Sequence, residues 1–169
     1  MSNFPMKPLS HIDRNGRARM VDVGVKAPSR RTATVQCHVH LSPEAFAALV
    51  GAQIKKGDAL TVAQVAGIQA AKRTDELIPL CHSVPLEHVA VSLSPEAPRH
   101  RVRVVCVTST VSKTGVEMEA FIGASTAALA LYDMVKALDP SATITDLQLL
   151  EKTGGTQPFQ RGAECALPS

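Results

Sequence analysis

The chain alternates between stretches with a hydrophobic period of two, which predict strands, and stretches with a period near 3.6, which predict helices. Residues 31–41 give the clearest strand, because apolar side chains occupy every second position from Val35 to Leu41. His38 and His40 fall on the opposite, polar side of this strand. Four further strands are predicted, at residues 20–26, 84–93, 100–111 and 143–152.

Two helices are predicted to follow the strand at 31–41. Ser42-Pro43-Glu44 has the composition of a helix start, with a capping hydroxyl, a first-turn proline and an acid. After the turn KKGD, residues 59–73 have helical periodicity and end in two cations, Lys72 and Arg73, which suit a helix C-terminus. The apolar side of this helix is predicted to consist of Leu60, Ala63, Ala66, Gly67 and Ala70.

Together the elements predict an α+β fold of the ferredoxin-like type, an antiparallel sheet with helices packed on one face. With one helix set aside, the order is strand, helix, strand, strand, helix, strand. Residues 1–19 are predicted to be a polar N-terminal arm, residues 20–156 the catalytic domain, and residues 157–169 a flexible tail.

The third helix is unusual, because residues 120–132 contain no charged side chain before Asp133 and Lys136 arrive. A two-layer domain covers only one stripe of a helix, so the other side predicts contact with a second subunit. The alternative is a central helix in a larger monomeric core. The uncharged stretch is shorter than the ~20 residues that cross a bilayer, so we do not expect a membrane span.

Composition narrows the functional classes. Aromatic residues make up only 3% of the chain and Trp is absent, which disfavours a stacking surface for single-stranded nucleic acid. The net charge of +3 tolerates an anionic small molecule without demanding DNA or RNA. The four cysteines form no CxxC pair and the N-terminus has no signal-peptide core, which indicates reduced thiols in the cytoplasm.

Several polar residues are candidates for chemistry, each with a structural alternative. Asp133 and Lys136 share one helix face, but such a pair is commonly a solvated surface ion pair. Glu117 and Glu119 are an acidic pair that also suits a helix N-terminus. His38 and His40 could share a metal, although no third ligand is in register.

Cys81 and His82 are adjacent in sequence, so their side chains diverge and do not form a nucleophile–base dyad.

Cations cluster at turns and element ends, which suits an anionic, phosphate-bearing substrate. KTGG at 152–155 lacks the spacing and following helix of a Walker loop, so a P-loop nucleotidase is not expected.

Six blocks of this chain are more specific than the features above. They are MVDV (20–23), KKGD (55–58), AGIQAAKRTDELIPLCH (66–82), KTGVEMEA (113–120), ALYDMVKA (130–137) and LLEKTGG (149–155). Together these blocks resemble the MoaC family of molybdenum cofactor biosynthesis. The resemblance runs from about Leu9 to about Thr156. Ser83-Val84 departs from the family pattern, in which proline often follows the histidine, and this puts the conformation of the loop at His82 in doubt.

The resemblance implies a ferredoxin-like enzyme that assembles as a hexamer, a trimer of dimers with sites at subunit contacts. It implies a cytoplasmic lyase that converts 3′,8-cyclo-7,8-dihydro-GTP, supplied by an upstream radical SAM enzyme, to cyclic pyranopterin monophosphate and diphosphate. It implies no metal and no organic cofactor. The family's catalytic pair falls on Asp133 and Lys136, and its substrate-binding residues fall on Leu80, Cys81, His82, Glu117, Met118, Glu119, Lys56 and Lys152. Lys72 and Arg73 lie in a matching block and are expected to contact phosphate.

Three other classes stay open from the residues alone. A metal-dependent phosphohydrolase would need more clustered carboxylates than Glu117 and Glu119 supply. A ferredoxin-like regulatory module would bind a ligand without forming product. An RNA-binding module of the same fold would need aromatic residues on its strands.

Overall fold

The computed structural model describes residues 15–162. These residues form one five-stranded antiparallel sheet and four helices, with a short 3₁₀ turn between the second and third strands. In chain order the elements are β1 (Ser29–His40), α1 (Pro43–Val50), α2 (Ala59–Ala71), α3 (Thr74–Leu77), β2 (His88–Glu96), β3 (Arg101–Ser112), α4 (Glu117–Val135), β4 (Thr143–Thr153) and β5 (Phe159–Gln160).

The strands lie in the order β2-β3-β1-β4-β5, and every neighbouring pair is antiparallel. A helical crossover joins β1 to β2, and α4 joins β3 to β4, which is split βαβ connectivity. Helices α2 and α4 pack on each other and on the same face of the sheet. The predicted α+β class, with an antiparallel sheet and helices on one face, is confirmed.

Local sequence determines where the helices begin. The Ser42 hydroxyl accepts a hydrogen bond from the Ala45 backbone N–H at 3.2 Å, and Pro43 opens α1. At α2 the Asp58 carboxylate accepts from the Thr61 N–H at 3.1 Å. Both N-termini are therefore capped by side chains within the predicted segments.

Glycines allow α2 and α4 to approach each other closely. A Cβ at Gly67 would lie 2.7 Å from the Gly123 carbonyl oxygen, and one at Gly123 would lie 2.6 Å from Cys106 Sγ. Any larger residue at either position would force the helices or the sheet apart. This contact makes α4 the central helix of the core.

Helix α4 is long and apolar enough to cross a membrane by length and composition, although half of its most apolar window is buried inside the domain. A core helix meets the same criteria. It still leaves apolar surface uncovered in one chain, since Leu129 is 58% exposed.

Four details differ from the sequence predictions. Residues 20–26 form turns and loop rather than a strand, because they find no strand to pair with. Within α2 the fully buried side comprises Ala59, Ala63, Gly67 and Ala71, while Leu60, Ala66 and Ala70 are half-buried. The predicted face is therefore rotated about the helix axis relative to the buried face, because the residues that pack against α4 are small.

The other two differences concern β1 and the C-terminal segment. His38, predicted on the polar side of β1, is only 6% exposed. Part of the expected tail is ordered, because Phe159–Gln160 pairs with β4 as β5. Of the predicted arm, residues 15–19 are exposed, while residues 1–14, like residues 163–169 of the tail, lie outside the described residues.

Candidate active site

A pocket of about 500 Å³ opens at the N-terminal end of α4. Its walls come from the segment before β1, the start of β1, the loop between α3 and β2, the start of α4 and the end of β4. The pocket brings together seven of the predicted substrate-binding residues, which are Leu80, Cys81, His82, Glu117, Met118, Glu119 and Lys152.

Two cations that we did not predict also line this pocket. Lys26 follows the MVDV block, and Arg31 lies at the start of β1. Their proximity to the other residues depends on β1 pairing with β4, so no local sequence signal identified them. Lys113, outside the pocket lining, donates a hydrogen bond to the Gly24 carbonyl at 2.6 Å, which holds the segment that carries Lys26.

An ion pair in the pocket wall joins β4 and α4. Lys152 Nζ on β4 lies 2.8 Å from Glu117 Oε1 on α4, and both side chains are a little under one-third exposed. A partly buried ion pair of this kind orients both groups and leaves them reachable by a ligand. The pair therefore places one positive and one negative charge in the pocket wall.

Glu119 is the buried acid of the pocket. Its side chain is 3% exposed, and its Oε2 has no hydrogen-bond partner among residues 15–162. Burial raises the pKa of this carboxyl to about 7, and the negative charges of Glu117 and Asp75 add to the effect. Glu117 and Glu119 therefore lie in different environments, because Glu117 is paired with Lys152 and Glu119 is buried.

The LCH segment contributes a thiol and an imidazole. Burial and the nearby Glu119 raise the pKa of the Cys81 thiol, so this cysteine is a poor nucleophile. His82 Nε2 lies 2.7 Å from the Val21 carbonyl oxygen, which can only accept, so Nε2 carries a proton. This bond leaves Nδ1 as the acceptor when the ring is neutral. The Ser83-Val84 departure thus leaves His82 on the pocket wall.

Two glycines shape the β4 end of the pocket around Arg31. Gly154 and Gly155 both have positive φ, at 82° and 71°. A Cβ at Gly155 would lie within 1.9 Å of Arg31 Nη1, and one at Gly154 within 2.1 Å of the Arg30 carbonyl oxygen. The double glycine is required by backbone conformation and by the guanidinium packed against it.

The predicted catalytic pair lies at the other end of α4. Asp133 forms ion pairs with Lys136 at 2.7 Å and with Lys56 at 3.2 Å, and all three side chains are about half exposed. Hydrogen bonds from Lys136 and Lys56 lower the pKa of Asp133, and the bond to Asp133 raises the pKa of Lys136. Asp133 is therefore an anion and Lys136 a cation.

Within one chain these two clusters do not meet. Asp133 follows Glu119 by fourteen positions on one helix, which corresponds to about 21 Å at 1.5 Å per residue. Neither Asp133 nor Lys136 lines the pocket, and neither does Lys56. Within one chain the pocket and the predicted catalytic pair are therefore separate.

The two cations after α2 are also outside the pocket. Lys72 caps the C-terminus of α2 and is exposed, and Arg73 lies 3.6 Å from Glu76 in an exposed ion pair. In one chain these residues have the role of a helix-end charge cluster.

The two histidines of β1 hydrogen-bond to β4 rather than to each other. His38 Nδ1 lies 3.2 Å from Asp146 Oδ2, and His40 Nε2 lies 3.0 Å from Thr145 Oγ1. Burial and the charge of Arg101 lower the pKa of His38. Across residues 15–162, no three His, Cys, Asp or Glu side chains are grouped as metal ligands.

The fold and the pocket define an α+β protein with a mixed acid–cation site suited to an anionic small molecule. A family model described as the MoaC family matches residues 20–155, and the chain belongs to this family.

Named relatives cover most of the chain. It is 48% identical over 150 residues to a cyclic pyranopterin monophosphate synthase from Roseiflexus castenholzii, covering 89% of this chain and 95% of that protein. A relative of the same name from Dinoroseobacter shibae is 47% identical with the same coverage. The human molybdenum cofactor biosynthesis protein 1 is 49% identical over 154 residues, which are 91% of this chain but 24% of the human protein.

Proposed function

We propose that this chain is a lyase of molybdenum cofactor biosynthesis. It converts 3′,8-cyclo-7,8-dihydro-GTP to cyclic pyranopterin monophosphate and releases diphosphate. Membership of the MoaC family and near-full-length similarity to proteins named cyclic pyranopterin monophosphate synthase support this activity. The observation that carries it is the pocket at the start of α4, which combines buried acid, imidazole and several cations.

The pocket matches the two chemical parts of such a substrate. Its volume of about 500 Å³ falls within the usual range for small-molecule sites. Lys26, Arg31 and Lys152 line the pocket and supply positive charge, which offsets the charge that grows as diphosphate leaves. Leu80 and Met118 supply apolar surface for the heterocycle. We assign the triphosphate to the cationic side and the ring to the α4 side.

The reaction moves protons on and off nitrogen and oxygen atoms, so it needs an acid and a base. Asp133 is the general base, because hydrogen bonds from Lys136 and Lys56 keep it ionised. Lys136 is the general acid, because its bond to Asp133 keeps it protonated. Lys56 Nζ also donates to the Asp133 backbone carbonyl at 2.7 Å, which fixes its position beside the pair.

A complete site requires two copies of the chain. The pocket and the Asp133 cluster are about 21 Å apart along α4, so one substrate cannot contact both within one chain. A second copy packed on the exposed side of α4, where Leu129 is uncovered, would bring its own Asp133, Lys136 and Lys56 to the pocket. In such a dimer we expect Lys72 and Arg73 to contact the phosphates of a substrate in the other chain's pocket, because they do not line the pocket of their own chain.

We propose a hexamer built as a trimer of dimers, working in the cytoplasm downstream of a radical SAM enzyme that supplies the cyclised GTP. No metal ion or organic cofactor takes part in the proposed step.

The direct test incubates the purified protein with the cyclised GTP substrate and detects products by mass spectrometry. We expect cyclic pyranopterin monophosphate and diphosphate in equal amounts. A protein that binds this substrate but forms neither product would contradict the proposal and favour a regulatory module instead.

A second experiment tests the shared site by subunit mixing. Asp133→Asn damages one partial site and Lys152→Met the other. At substrate concentrations well below KM, the first homo-oligomer should be nearly inactive and the second should keep roughly a tenth of wild-type activity. Mixed and reassembled, the two variants form some interfaces with one intact site, and activity should return to roughly a quarter of wild type. If mixing restores nothing although exchange of labelled subunits is observed, both clusters act within one chain.

A further inference from the structure

Residues 20–26, which we call the strap, contribute to the pocket wall although they form neither helix nor strand. Val21, Val23 and Lys26 of the strap line the pocket. Val25 is 97% exposed and therefore lies on the solvent side. One side of the strap thus faces the pocket, and the strap gains no support from pairing with the sheet.

The shape of the strap is fixed by hydrogen bonds within it. The Gly24 N–H donates to Asp22 Oδ1 at 2.8 Å, and the Lys26 N–H donates to the Val23 carbonyl at 3.1 Å. Bonds of this kind close tight turns. They define how the chain bends between residues 22 and 26, but they do not determine where this turn lies relative to the pocket.

Two side chains from other parts of the chain hold the strap by its carbonyl groups. His82 Nε2 lies 2.7 Å from the Val21 carbonyl oxygen, and Lys113 Nζ donates to the Gly24 carbonyl at 2.6 Å. His82 lines the pocket, whereas Lys113 does not. Hydrogen bonds from a charged donor are stronger than neutral ones. The Lys113 bond is attached two residues before Lys26.

The backbone of Lys113 is itself well anchored. It follows Ser112, the last residue of β3, which pairs with the first residue of β1. Arg31 on β1 donates from Nε to the Ser112 carbonyl at 3.3 Å and from Nη2 to the Lys113 carbonyl at 3.4 Å. Lys113 therefore connects the strap to the two inner strands that also position Arg31.

We propose that Lys113 is a positioning residue that acts on the bound anion through Lys26. By holding the Gly24 carbonyl, it keeps the strap against the pocket and places the Lys26 ammonium beside the ligand. A long side chain on an unrestrained loop loses conformational entropy when a ligand orders it, and the Lys113 bond removes part of that loss in advance. The proposal rests on the proposed function only for the identity of the anion, a nucleoside triphosphate.

A double-mutant cycle on GTP binding, measured by calorimetry, tests this coupling without turnover. Lys113→Met should weaken GTP binding by about tenfold, the usual effect of losing a hydrogen bond from a charged donor. Lys26→Met should weaken it at least as much. In the Lys26→Met background, Lys113→Met should change the affinity by less than about twofold, because the group that it positions is absent.

Two further variants separate positioning from charge. Lys113→Arg keeps a charged donor, so its GTP affinity should lie within about threefold of wild type. Lys55→Met removes one positive charge at an exposed position outside the pocket and should change the affinity by less than about twofold.

Hydrogen exchange of the ligand-free protein, followed by mass spectrometry, examines the strap directly. Amides of residues 20–26 should exchange roughly tenfold faster in Lys113→Met than in wild type, because local opening becomes easier. Exchange of the β1 amides should stay unchanged, which shows that the fold is intact. Lys113→Arg should exchange like wild type.

Two results would overturn the inference. One is a pair of independent effects, in which Lys113→Met weakens GTP binding equally with and without Lys26, since that pattern means that Lys113 does not act through Lys26. The other is unchanged exchange of the strap in Lys113→Met. Neither measurement depends on product formation, so failure of the proposed activity would be seen separately in the product assay.

Discussion

The two ends of helix α4 carry the same kind of side chain in opposite electrostatic states. At the N-terminal end Glu119 is buried without a cation, and its pKa is raised to about 7. At the C-terminal end Asp133 is exposed between two ammonium groups, and its pKa is lowered. Burial and neighbouring charges, not residue type, therefore set the direction in which each carboxyl pKa moves.

The largest expected effect comes from Asp133→Asn. Removing the proposed base should lower kcat by roughly 10²–10⁴-fold, while the exposed position leaves the fold intact. Turnover of the cyclised GTP substrate measures it. Glu44→Gln, at an exposed acid in the first turn of α1, is the matched control and should retain wild-type kcat. An Asp133→Asn enzyme with near-wild-type turnover would remove Asp133 from the mechanism.

The second effect is on stability and comes from Glu119→Gln. The folded-state pKa of Glu119 is about 7 and lies above that of an unfolded glutamate, so the folded state binds the extra proton. Stability from this group is complete below the unfolded pKa and is lost as pH rises toward about 7. At about 1.4 kcal/mol per pH unit, the loss between pH 5 and pH 7 is at most about 2.5 kcal/mol.

Urea unfolding of both proteins at pH 5, 6 and 7 measures that loss. Relative to wild type, Glu119→Gln should gain stability as pH rises, because an amide does not ionise. A constant difference between the two proteins over this range would show that Glu119 keeps one protonation state, and the contrast between the helix ends would fail.

The third effect is smaller and comes from Lys152, one of the cations that line the pocket. Lys152→Met removes a positive charge from the rim and leaves Glu117 unpaired, so KM for the cyclised GTP substrate should rise by about tenfold. Lys55→Met is the control, since Lys55 is exposed and lies outside the pocket. If both variants shift KM equally, the effect reflects overall charge rather than this contact.

Much of the fold follows from sequence because its signals are local. Alternation identified β1, the Ser42-Pro43-Glu44 start identified α1, and helical periodicity identified α2. The uncharged run identified α4 as a helix but predicted a subunit contact, and its central place in the core was the alternative. The predicted strand at 20–26 failed because alternation does not reveal whether a pairing partner exists. Strand β5 was missed since two residues carry no period.

The site residues were predicted from family resemblance rather than from local sequence patterns. The pocket residues around Glu117 came from resemblance, and their grouping depends on long-range strand pairing that brings Lys152 to α4. Lys26 and Arg31 were missed for the same reason. The sequence predicted sites at subunit contacts but not which residues each chain supplies, because spacing along one helix indicates a shared face without indicating what lies opposite it.

The smallest expected effect sharpens the contrast between the two helix ends. In one chain Asp133 is 57% exposed, and exposed ion pairs contribute little to folding. Its lowered pKa means that any contribution is present above the unfolded pKa and is lost as pH falls, the reverse of Glu119. Asp133→Asn should therefore leave the urea midpoint at pH 7 unchanged at low protein concentration, where subunit contacts are weakest.

Protein concentration distinguishes two roles for Asp133, which are contact with the pocket of a second chain and support of the fold of its own chain. If its cluster contacts the pocket of a second chain, the variant should lose stability only at concentrations at which the oligomer forms. Analytical ultracentrifugation of the same samples identifies that range. A loss of stability that does not depend on protein concentration would mean that Asp133 stabilises the fold of its own chain. Both ends of α4 would then contribute to the folding of a single chain.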